Sequence, residues 1–139
     1  MKLHHIGIFA KDINFGANEL SKIINIKKKS KIFKDDIIKV FVQFLYDYED
    51  TCYEIVAPNG SGNPVDSVIS SGKNILNHLA YSTSDFDVNL SKLINQGCIQ
   101  IKPPCPAIAF NNARVVFLLT PLRMIIELVE DKPIKSKNT

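Results

Sequence analysis

Two histidines and two glutamates stand on apolar stretches that are typical of β-strands, and together they could bind a divalent metal ion. His5 lies in LHHIGIFAKD, His78 in LNHLAYSTSD, Glu54 in YEIV and Glu127 in IELV. A carboxylate that faces the inside of a sheet is costly unless it is paired or coordinates a cation, and two such carboxylates would repel each other. Two imidazoles and two carboxylates suit nickel, cobalt or zinc, and also manganese or iron. An octahedral ion would keep two positions for water or substrate.

The spacing of these residues indicates an internal repeat. An offset of 73 residues places LHHIGIFAKDI on LNHLAYSTSDF, so that His5 falls on His78. The same offset places Glu54 on Glu127. Because one offset reproduces two polar residues on otherwise apolar strands, we expect both pairs to serve one site.

Strand alternation predicts which side chains share a face. His5 shares its face with Gly7, and His78 shares its face with Ala80, so that a small residue follows each histidine and leaves space for a pocket. His4 is predicted to point the other way, towards a helix, and is not expected to be a ligand.

Each copy is predicted to be a strand–helix–strand–strand–strand unit within a single domain. The first unit covers residues 1–57, and its helix follows a capping Asp12. A linker rich in Gly, Pro, Ser and Asn covers 58–74, the second unit 75–130, and a flexible tail 131–139.

Composition excludes several classes of protein. A hydrophobic fraction of 45% in 139 residues favours a globular domain over a disordered chain, and we expect no membrane span and no signal peptide. Residues 27–34 hold five lysines, but the chain has only two arginines and no nucleic-acid-binding module. Three cysteines without metal-type spacing fit a reducing compartment. We therefore expect a cytoplasmic protein that binds neither nucleic acid nor membrane.

The motifs HHIGI, YEIVAP, NHLAYS and IIELVE resemble those of the vicinal oxygen chelate superfamily, over about residues 2–130. Within it, the chain is most similar to bacterial glyoxalase I proteins and methylmalonyl-CoA epimerases. The resemblance implies an α+β fold in which two tandem βαβββ modules form a curved, cup-like mixed sheet with helices on its outer face. It also implies one divalent metal ion on His5, Glu54, His78 and Glu127, and a homodimer.

The resemblance implies proton transfer at a carbon next to a carbonyl, with Glu127 as the first candidate base and Glu54 as the second. A glyoxalase I-like lyase, which converts a hemithioacetal to a 2-hydroxyacyl thioester, is favoured by the segment PPCPAIAFNNARVV and the terminal IELV. An acyl-thioester epimerase is the alternative. The glutamate of its Glu–Gln–Gly–Val-like stretch is missing, with Asp35 or Asp36 as a shorter substitute. A resistance protein that binds a small molecule without catalysis is the third hypothesis, and two inward carboxylates argue against it.

Three further residues are candidates for substrate contact. Gln43 could line the same cavity, and Arg114 and Arg123 could hold the anionic part of a thiol adduct or acyl thioester; the alternative for both arginines is an ordinary surface charge. The proline-rich residues 103–110 are expected to form a lid or a rigid connection over the cup.

Overall fold

A computed structural model describes residues 1–131 of the chain. The tail predicted for 131–139 thus lies outside the described residues except for Asp131. The described part contains ten strands, three α-helices and a short 3-10 turn. The strands are β1 (Lys2–Phe9), β2 (Ile26–Lys29), β3 (Phe33–Asp35), β4 (Val40–Asp47), β5 (Cys52–Pro58), β6 (Leu76–Thr83), β7 (Ile99–Gln100), β8 (Cys105–Ala107), β9 (Ala113–Leu119) and β10 (Ile125–Glu130). The helices are α1 (Ile13–Ile23), α2 (Asp66–Ser71) and α3 (Phe86–Asn95), and the 3-10 turn is Ile108–Phe110.

The strands form one mixed sheet whose two halves have the same plan. Its order is β2-β4-β5-β1-β6-β10-β9-β7, with β3 on β4 and β8 on β9. The first strands of the two halves, β1 and β6, pair antiparallel at the centre. Each also pairs in parallel with the last strand of its own half, β1 with β5 and β6 with β10. The predicted α+β fold of two tandem modules on an open, curved sheet is therefore confirmed.

The outer face of each half is covered by a helix. α1 begins after Asp12, whose carboxylate accepts a hydrogen bond from the Phe15 amide at 2.8 Å. Ile13 and Ala17 of α1 pack against Leu45 and other side chains that point out of the sheet. In the second half, Leu90 and Leu93 of α3 pack on an equivalent cluster that contains Phe86, Cys98, Val116, Leu118 and Leu128.

The concave face has its own apolar lining, and two short segments fill it. Phe9, Val42 and Phe44 belong to a buried cluster on this face. Val65, at the start of α2, is completely buried in that cluster, and Phe110 of the 3-10 turn packs against it. The segment predicted as a linker, 58–74, thus contains a helix that packs into the cup.

Each module has five strands, one more than the four that the sequence predicts. In the second module, only Ile99 and Gln100 of the stretch CIQIK pair with β9. The proline-rich stretch supplies the additional strand, because Cys105–Ala107 pairs with β9 as well.

Within the described residues, no helix is both long and apolar enough to cross a membrane.

Candidate metal centre

The register of the central strands brings the four predicted ligands together on the concave face. Gly7 of β1 lies beside both Glu54 of β5 and His78 of β6. In the same way, Ala80 of β6 lies beside His5 of β1 and Glu127 of β10. Cross-strand partners share a face of the sheet, so all four side chains project into the cup. All four residues belong to one chain.

The ligand atoms of these four side chains converge closely. The Nε2 atoms of His5 and His78 are 3.3 Å apart. The Oε1 atom of Glu127 lies 3.1 Å from Nε2 of His5 and 3.2 Å from Nε2 of His78. The Oε1 atom of Glu54 lies 3.4 Å from each of the same nitrogens. All four ligand atoms lie within 4.8 Å of one another, and no residue of the set is more than 5% exposed.

These separations suit a divalent ion. Bonds of about 2.0–2.2 Å from nitrogen and oxygen to one ion place neighbouring ligand atoms about 3.0–3.4 Å apart. The five separations given above, 3.1–3.4 Å, fall at such values. Two neutral imidazoles and two carboxylates also balance the charge of a divalent cation. The cluster could therefore hold a metal ion.

In the absence of an ion, protons balance the two carboxylates. Burial alone would lower the pKa of His5, but Glu54 and Glu127 raise it to about 10. Burial likewise opposes the charge on His78, while Glu127 and Glu54 raise its pKa to about 9. Burial would raise the pKa of each glutamate, yet contacts with the two histidines lower both. Near neutral pH the metal-free cluster is therefore a set of two imidazoliums and two carboxylates.

His4 lies on the same face as His5, which corrects the prediction that it points towards a helix. β1 pairs with β6 through Leu3 and then His5, so that His4 is the extra residue of a β-bulge. The Nδ1 atoms of His4 and His5 are 2.9 Å apart, and the His4 ring centroid lies 5.3 Å from that of Phe110. Burial, followed by the charge of His5, lowers the pKa of His4.

The space predicted beside the histidines is already filled. A Cβ atom added at Gly7 would overlap the imidazole of His78. The absence of a side chain at Gly7 therefore makes room for the His78 ring and does not leave an open pocket. Phe110 covers the cluster from the other side, where its ring stacks on that of His5 with centroids 5.7 Å apart and an interplanar angle of 12°. The 3-10 turn therefore lies over the cluster as the predicted lid or rigid connection would.

Gln43 does not join the cluster, and its predicted place in the cavity is wrong. It lies opposite Ile55 in the β4–β5 pair, and Ile55 packs under α1 on the outer face. Its side-chain amide donates a hydrogen bond to the Ser30 carbonyl at 2.9 Å. The next residue, Phe44, is the one that lies opposite Glu54 on the concave face.

Arg114 joins α3 to β10 and does not line the cup. Its guanidinium donates to both carboxylate oxygens of Asp87, at 3.0 and 3.1 Å, and to Glu130 at 2.7 Å. It also lies 4.5 Å from the ring centroid of Phe86. These contacts support the alternative of a structural surface charge. Arg123 lies in the exposed turn between β9 and β10, and its role as an anion contact stays a prediction.

Neither aspartate proposed as a second acid or base is part of the cluster. Asp35 is buried, but its Oδ1 atom accepts hydrogen bonds from the Ile37 and Ile38 amides, at 3.0 and 2.9 Å, and its Oδ2 atom accepts one from Ile108 at 3.4 Å. This carboxylate therefore holds a turn of the first half and ties the 3-10 turn to it. Asp36 is exposed and accepts a hydrogen bond from Asn59.

Duplicated modules on an open sheet, with a buried His–Glu–His–Glu cluster between them, define a protein of the vicinal oxygen chelate class. The family model described as the Glyoxalase/Bleomycin resistance protein/Dioxygenase superfamily matches residues 4–132. The chain belongs to this superfamily. No curated protein matches the chain.

Solved structures with the same fold include several methylmalonyl-CoA epimerases. A hypothetical protein from Bacillus halodurans has a TM-score of 0.79 at 21% identity, with 98% of each chain covered. The epimerase from Mycobacterium tuberculosis has a TM-score of 0.76 at 21% identity, over 95% of this chain and 89% of that one. A variant of the Streptomyces coelicolor epimerase in complex with 2-nitronate-propionyl-CoA has a TM-score of 0.77 at 17% identity, over 98% of each chain. At these identities the likeness shows the fold alone.

Proposed function

We propose that this protein is a metal-dependent enzyme that moves a proton at a carbon next to a carbonyl group. The observation that carries the proposal is the convergence of His5, Glu54, His78 and Glu127, with ligand atoms within 4.8 Å. A divalent ion held by these residues would act as a Lewis acid, polarising the carbonyl oxygen and stabilising the negative charge that develops when the neighbouring carbon loses its proton. Nickel, cobalt and zinc are the first candidates, followed by manganese and iron.

Glu127 is the candidate base. Its pKa is lowered by hydrogen bonds with both histidines, against the effect of burial, so the carboxylate is ionised and can accept a proton. Glu54 is the second candidate, and it also contacts both histidines. Phe44 and Phe110 surround the His5 ring and keep water away from it, which strengthens the electrostatic interactions of the cluster.

The reaction we propose first is that of a glyoxalase I-like lyase, which converts a hemithioacetal to a 2-hydroxyacyl thioester. Moving a proton between adjacent carbons on one face of a substrate requires one carboxylate base. The carboxylates at the described cluster are Glu54 and Glu127, while Asp35 is engaged with three backbone amides. With Glu127 as the base and Glu54 as a ligand of the ion, the cluster would supply the one base that this reaction requires.

An acyl-thioester epimerase is the second candidate. Its support is the similarity to solved epimerases, one of them in complex with methylmalonyl-CoA at 19% identity and a TM-score of 0.74. Inversion at one carbon requires removal of a proton from one face and its return to the other. Glu54 and Glu127 would have to supply these two steps in the present chain.

Metal binding is the first test of the proposal. We expect the chelator-treated protein to bind one nickel, cobalt or zinc ion per chain in titration calorimetry. Because the pKa values of His5 and His78 are about 10 and about 9 without an ion, both are charged at pH 7. Binding should therefore release protons and tighten as the pH rises. Calorimetry in buffers of different ionisation enthalpy measures this release. A protein that binds no divalent ion would favour a binding module without catalysis.

Two substrate assays then separate the candidate reactions. The metal-loaded protein is offered methylglyoxal with a thiol, and separately a 2-methylacyl thioester in deuterated water. Formation of a thioester in the first assay supports the lyase, whereas incorporation of deuterium at the 2-carbon in the second supports the epimerase. Inactivity of the loaded protein in both assays would contradict proton transfer on these substrate classes.

Phe110 should limit access to the cluster. Replacing Phe110 with alanine removes the ring that stacks on His5, so we expect cobalt to enter the metal-free protein several-fold faster in stopped-flow absorbance. Phe33→Ala is the matched control, because Phe33 is an aromatic residue of the same cup whose ring lies 6.1 Å from that of Phe44. Equal loading rates for Phe110→Ala and the wild-type protein would show that the 3-10 turn does not restrict entry.

A further inference from the structure

Each cluster histidine is contacted at Nδ1 by the residue that precedes it. The Nδ1 atom of His5 lies 2.9 Å from Nδ1 of His4, and the Nδ1 atom of His78 lies 2.9 Å from Oδ1 of Asn77. His4 and Asn77 are themselves related by the 73-residue offset of the repeat. Both halves thus place a hydrogen-bonding side chain behind the histidine, on the side away from the cluster.

A β-bulge makes each contact possible. The β1–β6 pairing shifts between Leu3 and His5, and again between Gly7 and Ile8. The first shift leaves His4 as the extra residue, and the second leaves Asn77, which lies between the paired residues Leu76 and His78. In a regular strand, consecutive side chains point to opposite faces, whereas a bulge re-aims one of them. His4 and Asn77 can therefore reach the ring of the next residue.

The hydrogen-bond roles follow from the chemistry of the groups. The amide nitrogen of Asn77 donates to the Asn74 carbonyl at 3.4 Å, and its Oδ1 atom is an acceptor only. His78 must therefore donate from Nδ1. A neutral imidazole carries its single proton on one of its two nitrogens. If Nε2 of His5 binds an ion, the proton of His5 must therefore be on Nδ1. His4 then accepts at Nδ1 and carries its own proton on Nε2.

We propose that His4 and Asn77 are positioning residues that accept the Nδ1–H hydrogen bonds of His5 and His78 and so hold both Nε2 atoms towards the ion. This inference rests on the proposed metal site. Neither residue contacts the ion. Each fixes the tautomer and the orientation of the ring in front of it, and loss of such a partner lowers metal affinity by about 10- to 100-fold in other proteins.

The test compares the zinc affinities of four variants with that of the wild-type protein. We expect His4→Ala and Asn77→Ala each to raise the Kd for zinc by about 10- to 100-fold, and His4→Asn, which copies the other half of the repeat, to remain within about threefold of the wild type. Leu3→Ala is the control from the same bulge, because Leu3 is 49% exposed. It should not change the Kd.

A spectroscopic signal separates positioning from a general loss of structure. In the zinc-loaded wild type, the Nδ1–H proton of His5 should exchange slowly with water and appear downfield in the NMR spectrum. His4→Asn should keep that signal, and His4→Ala should lose it while circular dichroism stays unchanged. A wild-type Kd for both alanine variants, or an Asn variant as weak as His4→Ala, would overturn the inference. If His4→Ala does not fold, the Asn77→Ala and His4→Asn results decide. Failure of the wild type to bind zinc would instead overturn the metal site, and the inference with it.

Discussion

Replacing Glu127 with glutamine is expected to lower kcat by about 10²- to 10⁴-fold in whichever assay the wild-type protein is active, because an amide cannot act as the base. The substitution keeps the size of the side chain and one oxygen. That oxygen can still occupy the place of Oε1, which lies 3.1 and 3.2 Å from the two histidine nitrogens. Turnover must be measured on protein of known metal content, because removal of a charged ligand also weakens binding of the ion.

Glu54→Gln is the matched control for this substitution. Glu54 is as deeply buried as Glu127, and its Oε1 atom lies 3.4 Å from each of the same two nitrogens. The two variants should therefore lose similar metal affinity, while only Glu127→Gln should lose most of its kcat once loaded. Wild-type turnover by loaded Glu127→Gln, or a larger loss in Glu54→Gln, would contradict the assignment of Glu127 as the base.

The four cluster residues were predictable because the repeat constrains them twice. A single offset relates His5 to His78 and Glu54 to Glu127, and each is a polar residue on an apolar strand. In the fold, the same symmetry pairs Gly7 with Glu54 and Ala80 with Glu127. The chance that an unrelated pair of strands reproduces both the residue type and the register is small, so a sequence pattern sufficed.

Bulges explain why strand alternation assigns His4 to the wrong face. Strand alternation assumes an unbroken pleat, and a bulge inserts one residue without changing the composition of the strand. The relation of His4 to Asn77 was the available signal, because the repeat places a hydrogen-bonding side chain before each histidine. The contacts themselves depend on how β1 pairs with β6, which is a long-range property of the chain.

Strand alternation does not place Gln43, and it leaves open whether Arg114 is a substrate contact or a structural surface charge. β4 is apolar on both faces, so its alternation does not show which side faces the cup, and only the pairing of Phe44 with Glu54 settles it. Arg114 lies on an apolar strand, and its partners, Asp87 of α3 and Glu130 of β10, are distant in sequence. A single charged residue on a strand does not indicate which residues it contacts. A charged residue that recurs at the same offset in both halves indicates a shared site.

Gly7→Ala is expected to abolish tight metal binding while it leaves the fold in place. Gly7 lies between Glu54 and His78, and a methyl group there would overlap the His78 ring at three atoms. β1 cannot move aside, because it is hydrogen-bonded to β5 on one side and to β6 on the other. The imidazole must therefore leave its position, and overpacking of this kind lowers the free energy of unfolding by about 1–3 kcal/mol. Zinc calorimetry and chemical denaturation measure the two effects.

A double-mutant cycle tests whether the methyl group acts through His78. In a His78→Ala background the ring is absent, so adding Gly7→Ala should change the free energy of unfolding by less than about 0.5 kcal/mol. Ala80→Gly makes the opposite change at the equivalent position beside His5, and it should retain zinc binding because it removes atoms from the site and adds none. Tight zinc binding by Gly7→Ala would contradict the prediction. An equal loss of stability with and without the His78 ring would show that the glycine is required for the backbone and not for the position of the His78 side chain. The expected dependence on His78 follows from the contacts, since a methyl group at Gly7 would overlap the His78 ring, whereas Ala80 already carries a methyl group beside His5.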